Sequence, residues 1–600
     1  MRRERAGVDV RYLAALLLAL AMPFELVHLL ARVGPLVFTN LEALVVLTAA
    51  IWAADWVWRL ARQGSWDPLG GAGWLPRAAL IPALLFLLLA TISAQLAPEH
   101  RGEALKFVGR FGVGLYALVL VYTVSTTLAR LRGLLWAVTI GAGVSAVCGL
   151  VEIAGGEPGA ILSAFRLVPA YIGGDLRLSG TLSYATSAAM FYEMATPLAI
   201  ALAATAGRTW TRVVASGLAA ACAAAVPLTI TRGGMLTLIL TCGLLLVLAR
   251  LQPRWRALGL PAGVALLALA LGIGAWAARS DLVGPRLLNE GDDTWYHAAY
   301  LAPEALTLSF GQQRTVSVEV RNRGQVRWTA QGQHPYMLGY RWLSEDGRVM
   351  VVPGSTFVPL QHDVEPGASA RFEIVLEPRL APGRYRLAWG MLQEGILTFR
   401  QRNAPDATTA VSIVAEPGAA VGALAPSPSG SSDDWAPFPP VVSRVDLWIA
   451  ALRMFAERPL LGYGPDTYRH RYGPYLGLTS WGLHLPAHNL YLELLATLGL
   501  LGSAAFGWLL FTVGAGLLRA LRRRPGSAGT LLAAGLTASL LAFLIHGLVD
   551  YFLEFTPLYL LFWVTLGLAL ALALIETAAS GGEVNGTAER PTPEPPTAQS

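Results

Sequence analysis

Apolar runs of about 20 residues recur along most of this chain, and arginines or turn residues separate them. The hydrocarbon core of a bilayer takes about 20 helical residues to cross, so runs of this length predict transmembrane helices. About twelve are expected. They lie near 12–31, 36–57, 78–97, 106–128, 134–154, 184–206, 212–230, 234–250, 257–278, 489–518, 528–549 and 556–576. The first run follows the basic Met1-Arg2-Arg3-Glu4-Arg5 and has no small-residue cleavage site before a polar mature chain. It is expected to be retained as a helix and not removed as a signal.

Between the ninth and tenth runs the period changes. Hydrophobic positions alternate at Val316, Val318 and Val320, at Phe372, Ile374 and Leu376, and at Tyr385, Leu387, Trp389 and Met391. Asn322-Arg323-Gly324, Glu345-Asp346-Gly347, Glu365-Pro366-Gly367 and Ala381-Pro382-Gly383 supply turns between them. The expected fold class is a polytopic α-helical membrane protein with an inserted periplasmic all-β sandwich. Residues 1–280 form an N-terminal transmembrane region, 281–303 a linker, 304–414 the sandwich and 415–442 a Pro/Ser/Gly linker. Residues 443–488 form a polar extracytoplasmic segment and 489–577 a C-terminal transmembrane region. Residues 578–600, with Pro591-Thr592-Pro593-Glu594-Pro595-Pro596, read as a disordered tail.

Composition agrees with a membrane class: 54% of the residues are hydrophobic, only 14% are charged, and mean hydropathy is positive. The formal charge of +6 gathers in short clusters between apolar runs, with no aromatic-interleaved basic patch, so nucleic acid is not expected as a partner. Cys148, Cys222 and Cys242 all fall in apolar runs, which predicts neither a metal site nor a disulfide framework. If the chain starts inside, Arg59, Arg62 and Arg77, then Arg130 and Arg132, Arg208 and Arg212, Arg250, Arg254 and Arg256, and Arg519 to Arg524 all fall on the cytoplasmic side. That parity places residues 155–183, the turn at 231–234 and everything from Arg279 to about Leu485 outside.

Polar side chains where water is scarce are the candidates for chemistry. On the outer side stand Arg177, Arg232, His488 with Asn489, and His546 with Asp550. Guanidinium forks bind the dispersed charge of a pyrophosphate, and an imidazole accepts a proton from an attacking hydroxyl near neutral pH. Together they describe glycosyl transfer from a lipid pyrophosphate. Structural roles compete with this reading: Asn489 as a helix cap, Arg232 as a turn anchor, Lys106 and Arg110 as snorkelling cations, His546 with Asp550 as a satisfied pair, and Tyr463 within a glycine turn.

Four segments carry a resemblance: Ser443-Arg444-Val445-Asp446-Leu447-Trp448, Glu457-Arg458-Pro459-Leu460-Leu461-Gly462-Tyr463-Gly464, Ala487-His488-Asn489-Leu490-Tyr491-Leu492 and His546-Gly547-Leu548-Val549-Asp550. They are similar to the O-antigen ligase superfamily, which also holds O-antigen polymerases and bacterial oligosaccharyl transferases. The resemblance implies a metal-independent inner-membrane glycosyltransferase that takes its glycan from an undecaprenyl-pyrophosphate donor, with no cofactor. It implies a bacterial cytoplasmic membrane location with the large loop outside. His488 takes the catalytic position. Arg177 and Arg232 take the pyrophosphate-holding positions, and Asn489 and Arg444 further substrate-binding ones. The acceptor is a glycan, a lipid core or a protein. The alternatives are a polymerase of the same superfamily or a non-enzymatic transporter of lipid-linked glycans. A transporter would scatter charges along a central path, whereas these gather on one side. A nucleotide-sugar or polyprenyl-phosphate-sugar enzyme would show an Asp-x-Asp motif, and the first outer loop, Ala31 to Pro35, is too short for one. The sandwich resembles the immunoglobulin-like modules of bacterial surface-polysaccharide enzymes.

Overall fold

A computed structural model describes residues 9–33, 36–67, 69, 75–156, 159–167, 169–280, 282–288, 293–332, 334–346, 349–350, 357–378, 380–402, 404–415, 442–478, 484–523 and 526–586. The basic start at Met1–Arg5, Arg524 and nearly all of the 415–442 linker lie outside these residues. The first helices are α1 (Val10–Ala21), α2 (Asn40–Gln63), α3 (Arg77–Gln95), α4 (Arg101–Val124) and α5 (Leu128–Ile153). After the short α6 (Gly159–Leu162) come α7 (Ala185–Ala204), α8 (Thr209–Leu228), α9 (Arg232–Leu251) and α10 (Arg256–Ala277). Beyond α11 (Val283–Leu288) and the β domain lie α12 (Arg444–Glu457), α13 (Tyr472–Tyr475), α14 (Leu490–Arg523), α15 (Ala528–His546) and α16 (Thr556–Gly586).

Eleven of these helices, among the described residues, are long and apolar enough to cross a membrane. The expected first span is the exception. Helix α1 has 12 residues, about 18 Å of rise, and ends at Ala21 ahead of Pro23. The chain then turns into a hairpin, Ala31–Val33 with Leu36–Phe38, anchored where the Asn40 side chain bonds Leu26 N and the Phe24 carbonyl. The first loop therefore runs from 22 to 39 and is longer than the expected Ala31 to Pro35. At the other terminus α16 continues to Gly586, into the segment expected to be disordered. After Pro557 in its first turn, the helix meets no further proline.

Helix α7 is the hub, almost wholly buried and packed against α5, α8, α9, α10 and α15. A second layer packs α16 against α4, α14 and α15, and α3 against α14. The arginine-rich helix ends meet at one end of the bundle. There Arg130 pairs with Asp9 at 2.6 Å, Arg11 lies 3.4 Å from Asp55, Arg132 bonds the Thr205 carbonyl, and Arg523 bonds the Glu576 carbonyl.

Helix α14 is broken. Gly499 has φ 65° and ψ −170°, which interrupts the backbone ladder one-third of the way along. The segment Pro459–Gly464 repairs it: Leu500 N donates to the Pro459 carbonyl at 2.7 Å, Tyr463 N to the Ala496 carbonyl at 3.1 Å, and Gly464 N to the Thr497 carbonyl at 2.8 Å. Gly462 and Gly464 also have positive φ, so the expected turn at Tyr463 is present and does structural duty at the break.

The inserted β domain has two sheets. One has Gly383–Gln393 at its centre between Tyr336–Ser344 and Ala407–Val414, and ends on Ala305–Ser309 by a parallel pairing with Ala407–Val414. The other joins Ser369–Leu376, Arg314–Asn322 and Ala298–Leu301. The last strand falls inside the expected 281–303 linker, so the domain starts earlier than its alternation suggested. The alternating positions Val316, Val318, Val320, Phe372, Ile374, Leu376, Leu387, Trp389 and Met391 are buried as expected.

Candidate active site

The start of α14 sets the site. Asn489 Oδ1 accepts from the backbone N–H of Tyr491 and of Leu492, both at 3.0 Å, and so caps the helix. Its Nδ2 donates to the Leu548 carbonyl at 2.7 Å, and Leu490 N donates to the Gly547 carbonyl at 2.7 Å. The helix start is thereby clamped to the loop that follows α15. With both ends of its amide engaged by backbone, Asn489 fixes the helix start beside His488.

That neighbour is His488. Its backbone takes φ 46°, a left-handed conformation that a non-glycine residue holds only when its surroundings dictate it. The imidazole Nδ1 stands 2.8 Å from Asp550 Oδ1. On the carboxylate's other oxygen, Arg444 Nη2 approaches to 3.8 Å. Burial pushes the Asp550 carboxyl up, but the hydrogen bond and charge of His488, with Arg444 and His546, outweigh it and hold the group at about 2. An ionised carboxylate can only accept, so in the neutral ring Nδ1 carries the proton and Nε2 presents its lone pair.

His488, Asp550 and Arg444 line a cavity of about 980 Å³. Its walls descend along α4 through Glu103, Lys106, Gly109, Arg110 and Val113, and along α2 through Glu42, Val45 and Val46. Lys106 and Arg110, expected as snorkelling cations, therefore face this chamber. Its charges are largely compensated: Lys106 Nζ lies 2.9 Å from Glu103, and Arg469 lies 2.6 Å from Asp466. Arg110 donates to the Glu554 carbonyl at 2.8 Å and stands 4.7 Å over the Tyr559 ring. Burial is the main cause that pushes Asp466 up to about 6 and Glu554 up to about 7.

Neither Arg177 nor Arg232 is among the residues lining this chamber. Arg177 meets the turn that leads into Arg232, elsewhere on the same end of the bundle. Arg177 Nε donates to the Thr229 carbonyl at 2.9 Å and its Nη2 to Thr231 Oγ1 at 3.3 Å, next to Arg232. Arg232 donates to the Leu287 carbonyl at 3.3 Å. The turn abuts the loop that holds Asp550: a methyl group at Gly233 would stand 2.7 Å from His546 Nε2 and 3.3 Å from Val549 Cγ2. One run of contacts thus links both arginines to His488, through the segment 546–550.

His546 and Asp550 do not pair as expected, because α15 ends at His546 and Asp550 lies beyond its last turn. His546 Nδ1 bonds both carboxylate oxygens of Glu193, at 3.1 and 3.0 Å, and both side chains are buried. Glu193 sits eight residues into α7, about 12 Å below its start. A lone carboxylate inside an apolar run is the signal that marks it. Among the described residues, no cluster of three or more His, Cys, Asp or Glu is placed to hold a metal ion.

Among known families, O-antigen ligase matches the chain over residues 394–507. That stretch of the chain is similar to the O-antigen ligase family. No curated protein matches it. The O-antigen ligase match starts in the last part of the β domain and includes Arg444, the glycine turn at 462–464, His488, Asn489 and the break at Gly499. It stops before Asp550 and excludes Arg177, Glu193 and Arg232, which only the fold brings to the O-antigen ligase region. Within that region Ser443 and Asp446 form a capping box at the start of α12, so the Ser-Arg-Val-Asp segment fixes a helix terminus and aims Arg444 at Asp550.

Proposed function

We propose that the protein transfers a glycan from an undecaprenyl-pyrophosphate donor to an acceptor hydroxyl at the outer face of a bacterial cytoplasmic membrane. The observation that carries this reading is His488, backed by Asp550 and open to a chamber at the head-group end of a membrane bundle. The arginine-rich opposite end supports a cytoplasmic placement for that side, which puts the β domain and the chamber outside.

The acceptor hydroxyl donates its hydrogen bond to His488 Nε2 and attacks the anomeric carbon. A new C–O bond forms as the bond to the pyrophosphate oxygen breaks, its electron pair leaves with undecaprenyl pyrophosphate, and the anomeric centre inverts. The hydroxyl proton ends on Nε2, and Asp550 stabilises the resulting imidazolium. In-line attack places acceptor and leaving group on opposite sides of the sugar. That requirement favours the acceptor in the chamber, where paired acids and bases offer hydrogen bonds to hydroxyls at little net charge, and the leaving pyrophosphate on Arg177 and Arg232. Arg444 orients the acceptor and holds Asp550.

Protein reconstituted into liposomes with a labelled undecaprenyl-pyrophosphate glycan and an acceptor tests this reading. One undecaprenyl pyrophosphate is expected per glycan joined. A single size step marks a ligase and a growing ladder marks a polymerase. Folded protein that releases no lipid pyrophosphate with any glycan, lipid-core or protein acceptor contradicts the reading.

A further inference from the structure

The β domain is seated on the hairpin that carries Arg177. This hairpin pairs Ala170–Ile172 with Asp175–Arg177, and its tip is Gly173-Gly174. Both tip glycines have positive φ, 58° and 90°, and both are enclosed. A methyl group on Gly174 would lie 2.5 Å from Gln393 Nε2, and one on Gly173 would lie 2.6 Å from Leu282 and 2.8 Å from Trp295. Gln393 ends the strand Gly383–Gln393, is buried, and donates to the Gly173 carbonyl at 3.5 Å and the His334 carbonyl at 3.3 Å. Its Oε1 accepts from the Tyr296 hydroxyl at 3.0 Å. Tyr171, on the hairpin's first strand, meets the His334 ring edge-on at 5.0 Å. Ser280 bonds Asp175 from the segment that leads into the domain.

At the hairpin's other end, Arg177 bonds Thr229 and Thr231. The hairpin is thus a short strut with the β domain at its tip and the arginine turn at its base. We infer that the inserted β domain is a positioning element for the arginine pair, gripping the Gly173-Gly174 tip through Gln393 and thereby fixing Arg177 against the Arg232 turn. Gln393 is a positioning residue, since it acts through the hairpin and touches no reacting atom. A domain serving only to bind something at the surface has no need to bury a polar side chain against a glycine tip. Two left-handed glycines and a buried amide with three partners require mutual fit. The consequence for transfer rests on the pyrophosphate role proposed for Arg177; the mechanical coupling does not.

The test uses the full chain in lipid nanodiscs, with Gln393→Glu and Gly174→Val. Q393E keeps the size and the Tyr296 contact but turns a donor into an acceptor facing two carbonyls. Hydrogen exchange is expected to rise roughly tenfold across 170–177 and 228–232 and to stay unchanged at 489–493. Under glycan transfer, Q393E is expected to raise the donor KM roughly five- to tenfold with the acceptor KM unchanged, and to add nothing further in a R177Q background. Exchange confined to the β domain, or unchanged everywhere, overturns the inference. Exchange that spreads to 228–232 while R177Q itself transfers normally upholds the coupling and removes the pyrophosphate role of Arg177. If G174V does not fold, Q393E alone decides.

Discussion

His488 Nδ1 and Asp550 Oδ1 stand 2.8 Å apart, although α14 and α15 lie between them in the chain. Two further bonds, Asn489 to Leu548 and Leu490 to Gly547, hold the segments that carry them together. Asp550→Asn keeps the shape and removes the charge that fixes the tautomer and, in the proposed transfer, stabilises the imidazolium. Initial transfer rates per folded protein are expected to fall by roughly two to four orders of magnitude, with donor binding kept. A rate within a few-fold of wild type shows that the carboxylate is structural only.

Glu193 and His546 form an ion pair or hydrogen-bonded pair with almost no exposure, beneath the arginine turn. Removing one partner leaves the other buried and unmet, so Glu193→Ala is expected to destabilise the fold by about 3 to 5 kcal/mol. Replacing both, Glu193→Leu with His546→Leu, is expected to recover much of that loss in thermal unfolding in detergent. Equal losses for the single and double variants contradict this.

The break in α14 separates its glycines. A methyl group on Gly499 would stand 2.5 Å from the Leu460 carbonyl oxygen, at a positive φ, whereas Gly507 and Gly514 have nothing within 4 Å of the corresponding position. Gly499→Ala is expected to lower stability by more than about 3 kcal/mol. Gly507→Ala and Gly514→Ala are expected to raise it by roughly 0.5 to 1 kcal/mol each. Melting temperatures of the three variants check the order.

Asp466 and Glu554 face the chamber from different loops. Asp466 shares its surroundings with Arg469, Arg110 and Glu103, and Glu554 with Asp466, Arg469, Asp550 and His488. Burial raises both, to about 6 and about 7, above the values an unfolded chain gives. Their contribution is therefore full below about pH 4 and is lost as pH rises through those values. Asp550, held at about 2, has the opposite sign, and its contribution is already complete above about pH 4. Stability is expected to fall between about pH 4 and pH 7 by a few kcal/mol in total, and Asp466→Asn with Glu554→Gln should flatten the slope. A wild-type profile that rises over this window contradicts the assignment.

The sequence was most legible where a period repeats. Apolar run length gave the membrane helices, and alternation at 316–320, 372–376 and 385–391 gave the inner faces of two sheets. It misled where a single residue overrides the run, as Pro23 shortens α1 and Gly499 breaks α14. The site was legible at His488, whose flanking pattern stands out. Asp550 stood out as a candidate, but its pairing with His488 and the part of Glu193 did not, because they depend on where α15 ends and on which face α7 turns toward it. Arg177 meets the turn that leads into Arg232 beside the 546–550 segment, and neither arginine lines the chamber of His488. That distinction is tertiary and no spacing encodes it.

In the proposed transfer His488 takes the proton of the acceptor. Glycan transfer by His488→Ala, measured in liposomes against wild type at equal folded protein and saturating donor, tests it most directly. No detectable product is expected, while the donor still binds and the protein melts within a few degrees of wild type. Product at the wild-type rate would contradict it.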